Sequence, residues 1–170
     1  MKSTKLPDFG QVYRENVESV YRYVYARVGN RSDAEDITSQ TFFEALEKWP
    51  NYRDKGRTGA WLFAIARHHV ADFYRRRKPT VPLEKVDPAQ DDPPAPLEEI
   101  EREDEREKIR KLIMELPDRE QELLRLRFAA GLKYREMAEL LGRSEASVKM
   151  AVHRIVKRLA QVWRDRYGDD

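Results

Sequence analysis

Cysteine is absent from the 170 residues. Disulfides and thiolate metal sites are therefore excluded, and the chain suits a reducing compartment. Glycine is scarce, at 7 residues, which favours helix over sheet because glycine weakens helix interiors. No apolar run approaches the roughly 20 residues needed to cross a bilayer. Residues 1–10 carry no apolar stretch of the kind a secretion signal uses, so a cytoplasmic protein without membrane insertion is expected. An excess of one charge is missing too: 33 Lys+Arg face 31 Asp+Glu, a net charge of +2. The total says little about partners; the distribution along the chain says more.

What the sequence does have is charge, at 38% of residues, and apolar residues at helical spacing. In 12–28, Tyr13, Val17, Val20, Tyr21, Val24 and Val28 recur at steps of three and four, which predicts a helix ended by Gly29. Ser32, with Glu35 three residues on, has the spacing of a capping box and is expected to open a second helix. Its apolar stripe is Ile37, Thr41, Phe42, Ala45, Leu46 and Trp49, and Pro50 closes it. After a polar loop at 51–59, a third helix over 60–77 is expected to bury Trp61, Leu62, Ile65, Ala66, Val70 and Phe73.

Pro79, Pro82, Pro88, Pro93, Pro94 and Pro96 then mark a linker, the clearest boundary in the chain. Acidic residues dominate 87–107 and lead into a helix bearing Leu97, Ile100, Ile109, Leu112, Ile113 and Leu116. Pro117 and Asp118, the latter as cap, begin the next helix, with Leu123, Leu124, Leu126 and Phe128 as its core. Two further helices cover 133–141 and 145–163. No strand pattern is present. The expected fold is all-α: two small helical domains, 8–78 and 97–167, joined by a Pro-rich acidic linker at 79–96, the second ending in a helix-turn-helix.

The helix-turn-helix rests on Ala138, Gly142 and Val148. The first must be small where the two helices cross, the second must permit a tight turn, and the third locks the second helix onto the first. Met137, Leu140 and Leu141 complete that core, and Ser144 is placed to cap the second helix. Its outer face carries Arg143, Ser144, Ser147, Lys149, His153, Arg154, Lys157 and Arg158. Polar residues near the start of such a helix read base edges, and nearby cations meet phosphates. A solvated amphipathic helix would show the same charges, but not the three spaced core residues.

In the first domain, Arg53, Lys55, Arg57, Arg67, Arg75, Arg76, Arg77 and Lys78 face only Asp54 and Asp72 between 52 and 78. Tyr52, Trp61, Phe63, Phe73 and Tyr74 are interleaved. Cations with aromatics suit single-stranded nucleic acid, since phosphates attract charge and unstacked bases a π-face; Trp61 and Phe73 can equally be core. His68 and His69 lack a ligand set, so no metal is expected. No nucleophile or carboxylate cluster marks an enzyme, and no cofactor is expected. A dimeric helix-turn-helix repressor remains an alternative, but it leaves the first domain without a role.

Three stretches in order resemble the extracytoplasmic-function sigma factors of bacterial RNA polymerase. The first is Asp33-Ala34-Glu35-Asp36-Ile37-Thr38-Ser39-Gln40-Thr41-Phe42; the second is Trp61-Leu62-Phe63-Ala64-Ile65-Ala66-Arg67 with Asp72, Arg75 and Arg76; the third spans 116–159. The resemblance implies that Asp33, Glu35, Asp36, Gln40 and Phe42 meet the β′ clamp helices of core RNA polymerase. It implies that Arg53, Lys55, Arg57, Trp61, His68, Asp72, Arg75 and Arg76 serve the −10 element of promoter DNA. For the −35 element it implies Arg143, Ser144, Ser147, Lys149, His153, Arg154 and Lys157, with the β flap as a further contact of that domain. It also implies that the acidic linker enters the polymerase RNA channel, that an anti-sigma factor is a candidate partner, and that the free chain is a monomer. Two departures bear on promoter sequence: His68 stands where the family commonly has Asn, and Met150-Ala151 where it has Ser-Arg.

Overall fold

The computed structural model describes residues 8–53, 56–77 and 97–168, with side chains from 102 onward in the last segment. All regular structure among them is helical. The linker at 79–96 lies outside the described residues, as does Lys55.

Helix α1 (Phe9–Val28) presents Val12, Val20, Val24 and Val28 inward at helical spacing, and Gly29 closes it by donating its N–H to the Tyr25 carbonyl at 2.9 Å. Helix α2 (Arg31–Lys48) begins two residues earlier than a Ser32 cap would allow. The cap is Asn30, whose Oδ1 accepts from the Asp33 N–H at 2.9 Å while its Nδ2 donates to Asp33 Oδ2 at 2.7 Å. Asn satisfies the orphan donor as well as Ser does, so Ser32 is an exposed helical residue and Glu35 turns instead to Arg31 at 2.6 Å. Ile37, Thr41, Phe42 and Ala45 are buried as expected. Leu46 is not: it is 51% exposed. Pro50 does not stop the chain abruptly but sits in a 3-10 turn, Trp49–Asn51.

Helix α3 (Thr58–Arg76) packs against both, burying Leu62, Ile65, Ala66 and Val70. Phe63 joins them, stacked edge-on against the fully buried Tyr23 with centroids 5.6 Å apart. Trp61 and Phe73 are only half-buried.

Helix α4 (Leu97–Met114) buries Leu112 but leaves Ile109 outside. Helix α5 (Asp118–Leu124) begins with Asp118 already helical and Pro117 as its cap, so Asp118 is not the cap residue. Gln121 is buried because its Nε2 donates to the carbonyls of Leu116 at 2.8 Å and Met114 at 3.3 Å, tying the end of α4 to α5. A wide turn of π type follows, Arg125–Ala129, in which Ala130 N–H reaches the Arg125 carbonyl at 2.9 Å. Phe128 is 64% exposed rather than core. Leu126 and Ala130 take the inner face, and a residue two positions from each points away from it.

Helices α6 (Tyr134–Leu141) and α7 (Glu145–Tyr167) complete the chain. Residues from 9 to 73 and from 113 to 159 contribute to one continuous buried cluster. The seam forms where α1 meets the wide turn and where α3 meets α6.

Candidate nucleic-acid interface

The turn between α6 and α7 forms as its spacing requires. Ala138 is buried, Val148 is fully buried, and Gly142 holds φ at 63°, the left-handed region where a β-carbon is strained. Glu136 accepts the Lys133 N–H at 2.7 Å to start α6, and Ser144 Oγ accepts the Ser147 N–H at 3.2 Å to start α7. Met137, Val152 and Ile155 fill the angle between the helices.

Arg143, Ser144, Ser147, Lys149, His153, Arg154 and Lys157 are all exposed. Arg143 donates to Ser147 Oγ at 2.8 Å, and Arg158 pairs with Glu120. Lys149, Arg154 and Lys157 form no ion pair among the described residues, so their charge faces solvent unneutralised. The departures sit on the same helix: Met150 is 52% exposed and Ala151 is partly buried. Neither side chain can donate a hydrogen bond.

The basic surface of the first region is arranged differently. Trp49, Tyr52 and Trp61 form a ladder of rings, with Trp49–Tyr52 stacked at 5.1 Å and Tyr52–Trp61 stacked at 4.3 Å. Tyr52 and Trp61, with Arg53 and Arg57, line an open cleft of about 290 Å³, whose far wall is Glu139 and Leu140 of α6. Arg57 Nε stands 3.7 Å from Glu139 Oε1. His68 Nε2 lies 3.2 Å from Asp72 Oδ2, and Arg75 pairs with the same carboxylate. Arg75 and Arg76 are exposed at the end of α3. His69 Nε2 lies 2.7 Å from Glu44 Oε2, joining α3 to α2.

On α2, Glu35, Asp36 and Gln40 are exposed. Asp33 is half-buried and engaged within the chain, by Asn30 and by Arg77 at 3.4 Å. Phe42 is core, edge-on to Tyr13 at 4.9 Å, while its neighbour Phe43 is 65% exposed. Helical spacing marked Phe42 as core, and the position next to it on the outer face was the signal for Phe43.

One cluster had no signal in the sequence. Glu122 of α5, its side chain only 15% exposed, accepts from Tyr23 Oη at 2.7 Å and from Arg67 Nε at 3.1 Å. Arg27 and Arg125 approach its other oxygen at 3.7 and 3.8 Å, close enough for ion pairing but too far for hydrogen bonds. Burial, then the Glu122 carboxylate, pushes the Tyr23 phenol well above its ordinary value, so it stays protonated and donates. Burial, then Arg27, pulls Arg125 down from its ordinary value. The partners are 99 and 55 residues apart in sequence, beyond any local pattern.

Residues 12–80 match the Sigma-70 region 2 family and residues 106–159 the Sigma-70 region 4 family. The chain is 35% identical over 169 residues to the ECF RNA polymerase sigma factor BldN of Streptomyces coelicolor, covering 92% of this chain and 61% of BldN. It is 36% identical over 135 residues to the ECF RNA polymerase sigma factor ShbA of Streptomyces griseus, covering 76% of this chain and 71% of ShbA. The fold is similar to that of the sigma factor RpoE of Bartonella quintana, solved with the anti-sigma factor NepR. There the TM-score is 0.66 at 22% identity, over 94% of this chain and 98% of RpoE.

Proposed function

Because this chain belongs to the extracytoplasmic-function family of RNA polymerase sigma factors, we propose that it binds core RNA polymerase in the cytoplasm and directs promoter recognition, DNA melting and transcription initiation. The observation that carries the reading is the free cationic face of α7, set on a helix-turn-helix core whose small, turning and locking residues all sit where the geometry needs them.

Residues 97–167 form the domain that reads the −35 element. Arg143, Ser144 and Ser147 stand at the start of α7, where base edges come within reach, and Lys149, His153, Arg154 and Lys157 meet phosphates. Met150 and Ala151 offer apolar contact to a thymine methyl in place of hydrogen bonds. Residues 8–78 form the other domain. Arg53, Lys55, Arg57, Arg75 and Arg76 hold the phosphates of the −10 strand, and Tyr52 and Trp61 supply π-faces for an unstacked base. His68 and Asp72 line the same side of α3 and pair with each other, and His68 in place of Asn alters the donor set met by that base. Melting needs no covalent chemistry: the strand opens because its unpaired state is bound better than the duplex.

The outer face of α2 carries the contact with the β′ clamp helices. Asp36, Glu35 and Gln40 give orientation, Asp33 shapes the start of the helix, and Phe42 holds α2 in place from beneath. The second domain also meets the β flap, for which the exposed Phe128 is a suitable anchor. A dedicated anti-sigma factor is a further partner, in keeping with the complex known for RpoE.

Run-off transcription tests the reading. Core polymerase and genomic promoter fragments, at fixed salt, are expected to give discrete new starts only when this protein is added. Duplex binding by the chain alone, without new starts, would favour a repressor instead.

A further inference from the structure

The outward side of α7 has an apolar pole. Val148, Val152 and Ile155 are buried and fix which side of the helix faces the core. Met150, two residues on from Val148, stands about 200° around the helix from it and so points almost straight away from that core. Its exposure of 52% agrees with this direction. Ala146, one turn earlier on the same side, is exposed as well. Met150 is the sixth residue of a helix that begins at Glu145, within the part of a recognition helix that reaches base edges. The side chain placed to go deepest into a groove is thus a thioether, backed by a methyl group.

Its neighbours leave that pole to it. Arg143 and Ser147 are bonded to each other at 2.8 Å. The His153 ring stands edge-on to Tyr134 of α6, with centroids 6.2 Å apart. Lys149 is turned about 100° to one side, toward the phosphates of the groove wall, and Ala151 about 100° to the other. Ala151 is also partly buried, which leaves Ala146 as the partner of Met150.

In the major groove thymine shows a C5-methyl group beside a carbonyl, and cytosine a bare C5 edge beside an amine. A thioether donates no hydrogen bond and accepts only weakly, and an alanine side chain does neither. Such a pole is nearly blind to the exocyclic carbonyl or amine but gains from any methyl group it covers. The unbranched, polarizable methionine chain is well suited to wrap one. Resting on the assignment of α7 to the −35 element, we propose that Met150, backed by Ala146, reads the C5-methyl group of a pyrimidine at one position of that element. Thymine and 5-methylcytosine are accepted there alike, and unmethylated cytosine is disfavoured. Cytosine methylation at that position is then an input to promoter choice.

The full chain, with core polymerase and alone, is first used to select binding duplexes from a randomised pool. Each thymine of a selected duplex is then replaced in turn by deoxyuridine, which pairs identically and lacks only the methyl group. One position is expected to lose about fourfold in affinity, the worth of one buried methyl group. Cytosine paired with guanine at that position should bind more weakly than thymine, and 5-methylcytosine should recover the same factor over cytosine. In Met150→Ser both preferences are expected to vanish, whereas Met150→Leu keeps them. Lys149→Ala weakens every duplex alike and leaves the preferences standing. Indifference to deoxyuridine at every position, 5-methylcytosine binding no better than cytosine, or preferences that survive Met150→Ser would each overturn the methyl reading. Run-off transcription from templates carrying the same duplexes reports separately on the sigma-factor reading. New starts without a deoxyuridine effect sink only the methyl reading, and a deoxyuridine effect without new starts sinks only the sigma-factor reading.

Discussion

The two basic surfaces of this molecule are alike in composition, but more of the cations on the first than on the second are already paired. On α3 and the loop before it, Arg57, Arg67, Arg75 and Arg77 each have a carboxylate partner, as do both histidines. On α7, Lys149, Arg154 and Lys157 have none among the described residues. A cation that already has a partner must exchange it to bind DNA, and gains only the difference. One facing solvent gains the whole interaction, together with the release of counterions from the DNA. The lesson is that the number of Lys and Arg in a stretch is a poor guide to its readiness; what counts is which acids the fold brings to them.

The harshest way to break this comparison is to remove the scaffold of the free surface. Val148→Asp places a charge in a fully buried site without a partner, and is expected to cost about 4 kcal/mol or more. Urea unfolding should show loss of the α6–α7 packing, and limited proteolysis should cut within 134–167 first. A finer contrast comes from the two surfaces themselves. Lys149→Ala or Arg154→Ala is expected to weaken promoter binding by about 1–2 kcal/mol and to lower its salt dependence, while polymerase binding is spared. Arg57→Ala should weaken promoter-duplex binding by the chain alone less, because its charge is already met by Glu139. Equal losses in a filter-binding series would erase the distinction between the two surfaces.

Gly142→Ala probes the turn that aims α7. At φ 63° an added β-carbon meets no neighbour but strains the backbone, so a loss of about 1 kcal/mol in urea is expected. The smallest effect concerns Glu44. Its hydrogen bond with Lys48, assisted by His69, holds its carboxyl below its ordinary value of 4.5. Stability from that depression is fully present above the ordinary value and is lost as pH falls through the lower, folded one. Urea midpoints measured from pH 6 down to pH 3 should therefore fall less steeply in Glu44→Gln than in the parent.

Much of the local architecture was legible because it rests on local rules. The inward residues of α1 and α3 follow the helical period, and Ala138, Gly142, Ser144 and Val148 occupy roles that neighbours along the chain define. Errors arose where two local rules competed or where contact was distant. Asn30 and Ser32 are both good caps, and only the observed chain path selects Asn30. Leu46 and Phe128 are apolar residues at helical positions that the surrounding elements leave uncovered. The α7 surface could be read directly, because exposure of a terminal amphipathic helix follows from its own sequence. The cleft could be read in its aromatic and basic wall but not in its acidic one. Glu139 lies more than 80 residues from Arg57, and no periodicity links them.

The wide turn at Arg125–Ala129 gives this stretch of chain a special intolerance to changes of length. Glu122, just before it, must meet Tyr23 and Arg67, while Leu132, just after it, belongs to the core beneath α6. The two faces do not share one helical phase, and the turn absorbs the mismatch by carrying one residue more than an ordinary helical turn would. Deleting a single residue there would rotate one face against the other by about 100°. An insertion in the polar segment near Asn51 would be absorbed at the surface. Drift in chain length among relatives of this protein should therefore collect in its loops and spare residues 122–132, even though side chains there are free to vary where they face solvent.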